Sequence, residues 1–202
     1  MGAVKLAGKP SPRERLLAAA DELFYAEGVQ TVGIDRIIER ASVAKATLYN
    51  AYGGKEQLIR AYLDARLDGT TARTNQVIER YSAPRERLLA VFDAQAELFA
   101  QSDFHGCAFA MAGAEAPSGG LIEQAVDEYR AWLLDLLTAL AAEAGAPDPA
   151  ALGVQLRLLH DGAGLTARMD RSVAAAIAAR AAAAALLDAA VAVRAPVAAQ
   201  QG

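Results

Sequence analysis

The chain is short of cysteine, histidine, aromatic residues and positive charge, and each shortage closes a route. One cysteine in 202 residues excludes an intramolecular disulfide and leaves too few soft ligands for a structural zinc site. No metal or cofactor is expected. The two histidines, His105 and His160, have no nucleophile spaced to meet them, so the His160-Asp161 pair makes poor catalytic material and no catalytic residue is assigned. A net charge of −4 argues against a protein that coats nucleic acid indiscriminately. Long hydrophobic runs are missing too: much of the 54% hydrophobic content is alanine, and the most apolar stretch, 173–193, is interrupted by Arg180 and Asp188. Residues 1–10 lack the apolar core of a signal peptide. These absences predict a cytoplasmic protein with no membrane partner and no enzymatic role.

What is present is helical periodicity from end to end, with no alternating strand pattern of useful length, so the fold class is all-α with about nine helices. Ser11-Pro12 reads as a helix cap followed by first-turn proline, and Leu16, Leu17, Ala20, Leu23 and Phe24 make the apolar stripe of a first helix that stops at Gly28. Ile34, Ile37, Ile38 and Ala41 mark a second. A third covers residues 44–51, and a fourth, with Leu58, Ile59, Tyr62, Leu63 and Leu67 on one face, runs from Lys55 to about Arg80, with Gly69-Thr70-Thr71 a point of weakness. Pro84 opens a fifth helix lined by Leu88, Leu89, Phe92, Ala96 and Phe99; a short, bent sixth spans 106–115; Leu121 to Leu140 define a seventh that stops near Gly145. Asp148-Pro149 caps an eighth, and 168–172 turn into a ninth that ends before Pro196. The resulting division is a flexible basic arm (1–10), a small helical unit (11–54), a larger one (55–195) and a flexible tail (196–202).

Charge is polarised along this layout. Residues 1–60 carry roughly +2, which leaves about −6 for the remainder. Lys5, Lys9, Arg13 and Arg15 form a basic N-terminal arm suited to phosphates, and Lys45 and Lys55 flank the third helix. The second helix, the tight turn Ser42-Val43-Ala44 and the third helix, with its Lys, Thr, Tyr and Asn, have the layout of a helix-turn-helix, in which Val43 plugs the space between the two helices.

With Leu48-Tyr49, the aromatic Tyr52 and the pair Lys55-Glu56, this segment resembles the DNA-binding domain of the TetR family of bacterial transcriptional regulators. More weakly, His105-Gly106-Cys107-Ala108-Phe109, Ala114-Glu115 and the helix with Tyr129 and Leu133-Leu134 are similar to the C-terminal domain of one subfamily. Family members carry Gly where this chain has Ser42, and often a Ser cap where it has Ala44. A left-handed non-Gly residue costs energy, and a missing side-chain cap costs about 0.5–2 kcal/mol. Ser42 is expected to supply the cap instead.

Lys45, Thr47 and Asn50 should face outward if Val43, Leu48 and Tyr52 face in. Asn50 has the donor and acceptor for an adenine edge, Thr47 suits a phosphate or a thymine methyl, Lys45 reaches either a base or a phosphate, and Ala46 allows close approach. The resemblance implies that Tyr49 and Lys55 hold the phosphate backbone of double-stranded DNA. It also implies a homodimer through the last two helices, where Ala174, Ala175, Ala178, Ala181, Ala182 and Ala185 permit close packing. Leu186, Leu187, Val191 and Val193 would add apolar contact, with Gly162 and Gly164 on the facing helix. A small, apolar effector of unknown identity would bind among the aromatics of the C-terminal domain, for which Tyr62, Phe92, Phe99, Phe109, Tyr129 and Trp132 are the candidates. The function expected is that of a repressor released from a palindromic operator by that effector. The competing class is a small-molecule-binding helical protein with a degenerate DNA-binding unit, motivated by Ser42 and Ala44. The apolar setting of Cys107, between Phe104 and Met111, favours an inert thiol over a redox sensor.

Overall fold

The computed structural model describes residues 10–192. Among these, the regular elements are nine helices: α1 (Pro12–Glu27), α2 (Ile34–Ala41), α3 (Lys45–Tyr52), α4 (Lys55–Ile78), α5 (Pro84–Phe99), α6 (Ala108–Glu115), α7 (Leu121–Glu143), α8 (Pro149–Asp170) and α9 (Ala174–Ala192). The all-α class is as the periodicity predicts. Lys5, Lys9, Val193 and the tail lie outside the described residues.

Helix ends follow local chemistry. Ser11 Oγ accepts the Glu14 N–H at 3.2 Å while Glu14 Oε2 accepts the Ser11 N–H at 2.6 Å, a reciprocal cap completed by Pro12. Asp148 Oδ1 accepts the Ala151 N–H at 3.0 Å ahead of Pro149. Two expected boundaries move. The sixth helix starts at Ala108, because Gly106 sits at φ 119°, outside any helical conformation. The fourth runs unbroken through Gly69, since one glycine costs a helix only about 1 kcal/mol and burial of Thr74 and Val77 beyond it keeps the later turns packed.

The backbone divides into two compact units. Among the described residues, unit 1 comprises 10–66 and 111–126, and unit 2 comprises 67–110 and 127–192. The division therefore falls inside α4 rather than at the 54/55 junction suggested by sequence. The early turns of α4 belong with the N-terminal helices: Tyr62 packs on Phe24 with ring centroids 5.6 Å apart. Arg66 forms two hydrogen bonds to Asp21, at 2.6 and 3.0 Å, with its guanidinium 3.8 Å from the centre of the Tyr25 ring. In unit 1, α1 packs on α2 and α3 around Leu16, Phe24, Ile37 and Leu48.

In unit 2, α5, α8 and α9 pack together around Leu88, Phe92, Leu156 and Leu187. By length and composition alone α9 could cross a membrane. Its two charges instead bind α5: Arg180 donates to Asp93 at 2.8 Å and Glu86 at 3.2 Å, and Asp188 accepts two bonds from Arg85, both 2.8 Å. Two residues assigned from sequence to a subunit contact turn inward. Leu187 is core, and Gly164 is buried with the Gln95 amide beside it. A helix only 19 residues long must use one face for its own unit, and Ala176, Ala179, Ala183 and Leu187 are that face.

Candidate nucleic-acid interface

α2 ends in a left-handed residue. Ser42 lies at φ 51°, ψ 55°; its N–H bonds the Glu39 carbonyl and the Val43 N–H bonds the Ile38 carbonyl, each at 3.0 Å. This paired arrangement closes a helix C-terminus, most often with glycine. The same pattern closes α7, where Gly145 (φ 86°) bonds Ala142 and Ala146 bonds Ala141. The turn thus keeps its left-handed backbone without glycine. Ser42 does not take over the cap, because a residue that ends α2 in this conformation sits two positions before the N-cap of α3. Ala44 holds that position with no side-chain hydrogen bond. Val43 is half-buried between the helices.

Two arginines fasten the motif. Arg15 Nε donates to the Ala41 carbonyl at 3.1 Å, and its Nη groups reach the Pro10 carbonyl at 3.2 Å and the Ser42 carbonyl at 3.5 Å. Arg13 Nη1 donates to the Ala51 carbonyl at 2.5 Å, with its guanidinium 4.4 Å from the centre of the Tyr52 ring, and the Tyr52 hydroxyl donates to the Arg13 carbonyl at 3.0 Å. Burial pushes the Tyr52 phenol up, against the opposing Arg13 charge, so it stays a neutral donor. The carbonyls at a helix C-terminus lack intrahelical partners, and a cation there meets both the hydrogen-bond and the dipole requirement. Arg13 and Arg15 therefore belong to the scaffold rather than to a phosphate-seeking arm. Sequence reading missed this because the partners lie 26 to 38 residues away.

With the recognition helix fixed, its faces follow from rotation of about 100° per residue. Leu48 is wholly buried and Tyr52 nearly so. Ala46 and Asn50 lie opposite Leu48 and are exposed; Tyr49, on one flank, is 47% exposed, whereas Thr47, on the other, is only half-exposed. Thr47 thus departs from the expected outward position. Lys45 is exposed and pairs with Asp35 at 3.1 Å, both side chains largely in solvent, a contact easily exchanged for another anion. Arg36 and Arg40 of α2 are committed to Glu27 and Glu22 of α1, at 2.5 and 2.7 Å.

Lys55 is half-buried at the start of α4. Its Nζ donates to the Gln30 carbonyl at 3.1 Å, and burial lowers its pKa while the nearby Glu115 charge opposes that lowering. Glu115 in turn accepts the Gln30 N–H at 2.8 Å. Neither partner is visible in sequence, since Gln30 and Glu115 are 85 residues apart.

The candidate effector residues form separate groups. Phe109 stacks on Tyr129 at 4.1 Å and Tyr129 meets Trp132 at 6.0 Å; Phe99 packs on Phe104 at 4.7 Å; Phe92 meets the His160 ring edge-on at 6.2 Å. Tyr62 belongs to unit 1 and is buried in its core. Gln95, between Phe92 and Phe99 on α5, is a buried polar residue that periodicity did not single out; its amide donates to the His160 carbonyl at 2.8 Å. Burial pushes the Cys107 thiol up, outweighing bonds from the Ala110 and Phe109 backbone and the Tyr129 hydroxyl. It therefore stays protonated near neutrality, as an inert thiol would.

Residues 16–62 match the family model for bacterial regulatory proteins of the tetR family. Along 82 residues (41% of this chain, 37% of the relative) the sequence is 34% identical to the HTH-type transcriptional activator FasR of Mycolicibacterium smegmatis. Along 87 residues (43% and 42%) it is 29% identical to the HTH-type transcriptional repressor KstR2 of the same organism. The matched stretch thus spans about two fifths of these curated relatives. The crystal structure of SCO4454, a TetR-family transcriptional regulator from Streptomyces coelicolor, is 35% identical and superposes with a TM-score of 0.84 over 89% of this chain and 96% of that one. On the helix-turn-helix geometry, the matched motif and this near full-length likeness, the chain belongs to the TetR family of bacterial transcriptional regulators.

Proposed function

We propose that the protein is a cytoplasmic, homodimeric DNA-binding repressor that leaves a palindromic operator when a small apolar effector binds. The observation that carries the reading is the α3 surface: Lys45, Ala46, Tyr49 and Asn50 are solvent-facing on a helix locked at both ends of the motif by Arg15 and Arg13. Asn50 reads a base edge, Tyr49 and Lys55 hold phosphates, Lys45 takes a base or a phosphate, and Thr47 contributes from the flank. The turn's regular hydrogen bonding argues against a degenerate unit.

A single recognition helix makes few contacts, so a dimer is needed. Val154, Leu158, Leu165 and Met169 recur on one face of α8 and are exposed, as is Ile177 of α9; Leu158 and Met169 are 64% and 74% exposed. Gly162, also exposed, lies in the same stripe and allows close approach. An exposed apolar stripe of this kind, interrupted by Asp161, favours a second copy. Exposed Ala174, Ala178, Ala181 and Ala185 would extend it along α9. For the effector, Phe92, Phe99, Phe109, Tyr129 and Trp132 in unit 2 are the proposed lining, with Gln95 the polar group among them. Such a molecule need only prefer the conformation that fits DNA poorly.

Selection of bound fragments from genomic DNA tests the reading. A palindrome with half-sites about one helical turn apart, or a multiple, is expected. Recovery of no sequence above background, with no salt-dependent binding, would refute it.

A further inference from the structure

The first turn of α4 holds two other pieces of chain. Lys55 Nζ donates to the Gln30 carbonyl, and Glu56 Oε1 accepts the Leu121 N–H at 3.1 Å, which sets a carboxylate on the N-terminus of α7. Gln30 is gripped from its other side by Glu115 Oε2, at 2.8 Å. Glu115 can come so close because Gly28 has a left-handed backbone (φ 94°) and no Cβ; any side chain there would collide with the carboxylate. Residues 28, 30, 55, 56, 115 and 121 all lie in unit 1. An anion at the end of α6 is thereby anchored on the same residue, Gln30, that holds the ammonium assigned to the DNA backbone.

We propose that Glu115 is a brake on Lys55: its carboxylate, fixed on Gln30, retains the Lys55 ammonium and repels the phosphate that would replace it. This rests on the DNA-binding reading above. Glu115 acts through Lys55 and is a positioning residue. It also ends an eight-residue helix, so an axial shift of α6 carries the charge with it. Segment 111–126 then sets DNA affinity without touching a base.

Titration of random-sequence duplex DNA with the full chain tests this. Glu115→Gln keeps an acceptor for the Gln30 N–H and the same volume while deleting the charge. It is expected to tighten binding roughly fivefold at low salt, the gain shrinking as added salt screens the deleted charge. In a Lys55→Gln background the same change should give no such gain. A gain of equal size in that background, or no gain in either, overturns the brake. If the unsubstituted protein shows no salt-dependent binding, the DNA-binding reading fails and the brake with it. If it binds, and Lys55→Gln alone weakens it, a silent Glu115→Gln removes the brake only.

Discussion

Ser42 and Gly145 close two helices with the same pair of hydrogen bonds and the same left-handed backbone, so exchanging their side-chain classes is a controlled experiment within one chain. For Ser42→Gly two terms compete. Relief of the left-handed conformation returns about 1–2 kcal/mol, and the freer unfolded chain of glycine takes back about 0.4–1 kcal/mol. No side-chain hydrogen bond intervenes at the α3 cap, which Ala44 occupies. The net expectation is stabilisation of about 0.5–1 kcal/mol. Gly145→Ala reverses the sum: a Cβ there meets nothing within 4 Å, so no contact is added to the same two terms and a loss of similar size is expected. In thermal unfolding at fixed protein concentration, each change should move the midpoint by about 1–4 °C, in opposite directions. Urea midpoints should shift with unchanged slope. Because the turn geometry is retained, Ser42→Gly should leave DNA affinity within about twofold. Shifts of the same sign, or a Ser42→Gly variant less stable than the parent, would refute the strain argument.

Three further substitutions probe the interface and the assembly. Lys55→Ala should weaken binding to all duplexes and reduce the salt slope by about one unit per half-site, read by titration across salt concentrations. Asn50→Ala should relax preference at one base by roughly 1–3 kcal/mol per half-site in competition with operator variants; equal losses on cognate and random DNA would remove its base-reading role. Leu158→Glu, on the exposed stripe of α8, should shift sedimentation from dimer to monomer and abolish operator binding while leaving helicity unchanged, because the side chain is 64% exposed within one subunit. A dimer that survives this charge would place the subunit contact elsewhere.

Much of the architecture was legible along the chain because it is set by near neighbours. Ser11-Pro12, Asp148-Pro149 and Gly145 mark helix ends through contacts three to five residues away, and the apolar stripes of α1, α5 and α7 repeat at the helical period. Leu48 facing inward and Asn50 outward follow from rotation along a single helix. The charge balance of −4 was less informative than its distribution, and even that misled, since Arg13 and Arg15 of the basic arm turn out to bind carbonyls.

By itself, then, the sequence determined the helix inventory, the position of the helix-turn-helix and which side of the recognition helix meets solvent, because each depends on periodicity and on interactions spanning a turn or two. Tertiary structure alone decided the rest. It turned Arg13 and Arg15 into clamps and sent Leu187 and Gly164 inward. It also joined Lys55 to Gln30 and Gln30 to Glu115. Those outcomes depend on which distant carbonyl, ring or carboxylate a side chain meets, and one-dimensional spacing carries no record of that.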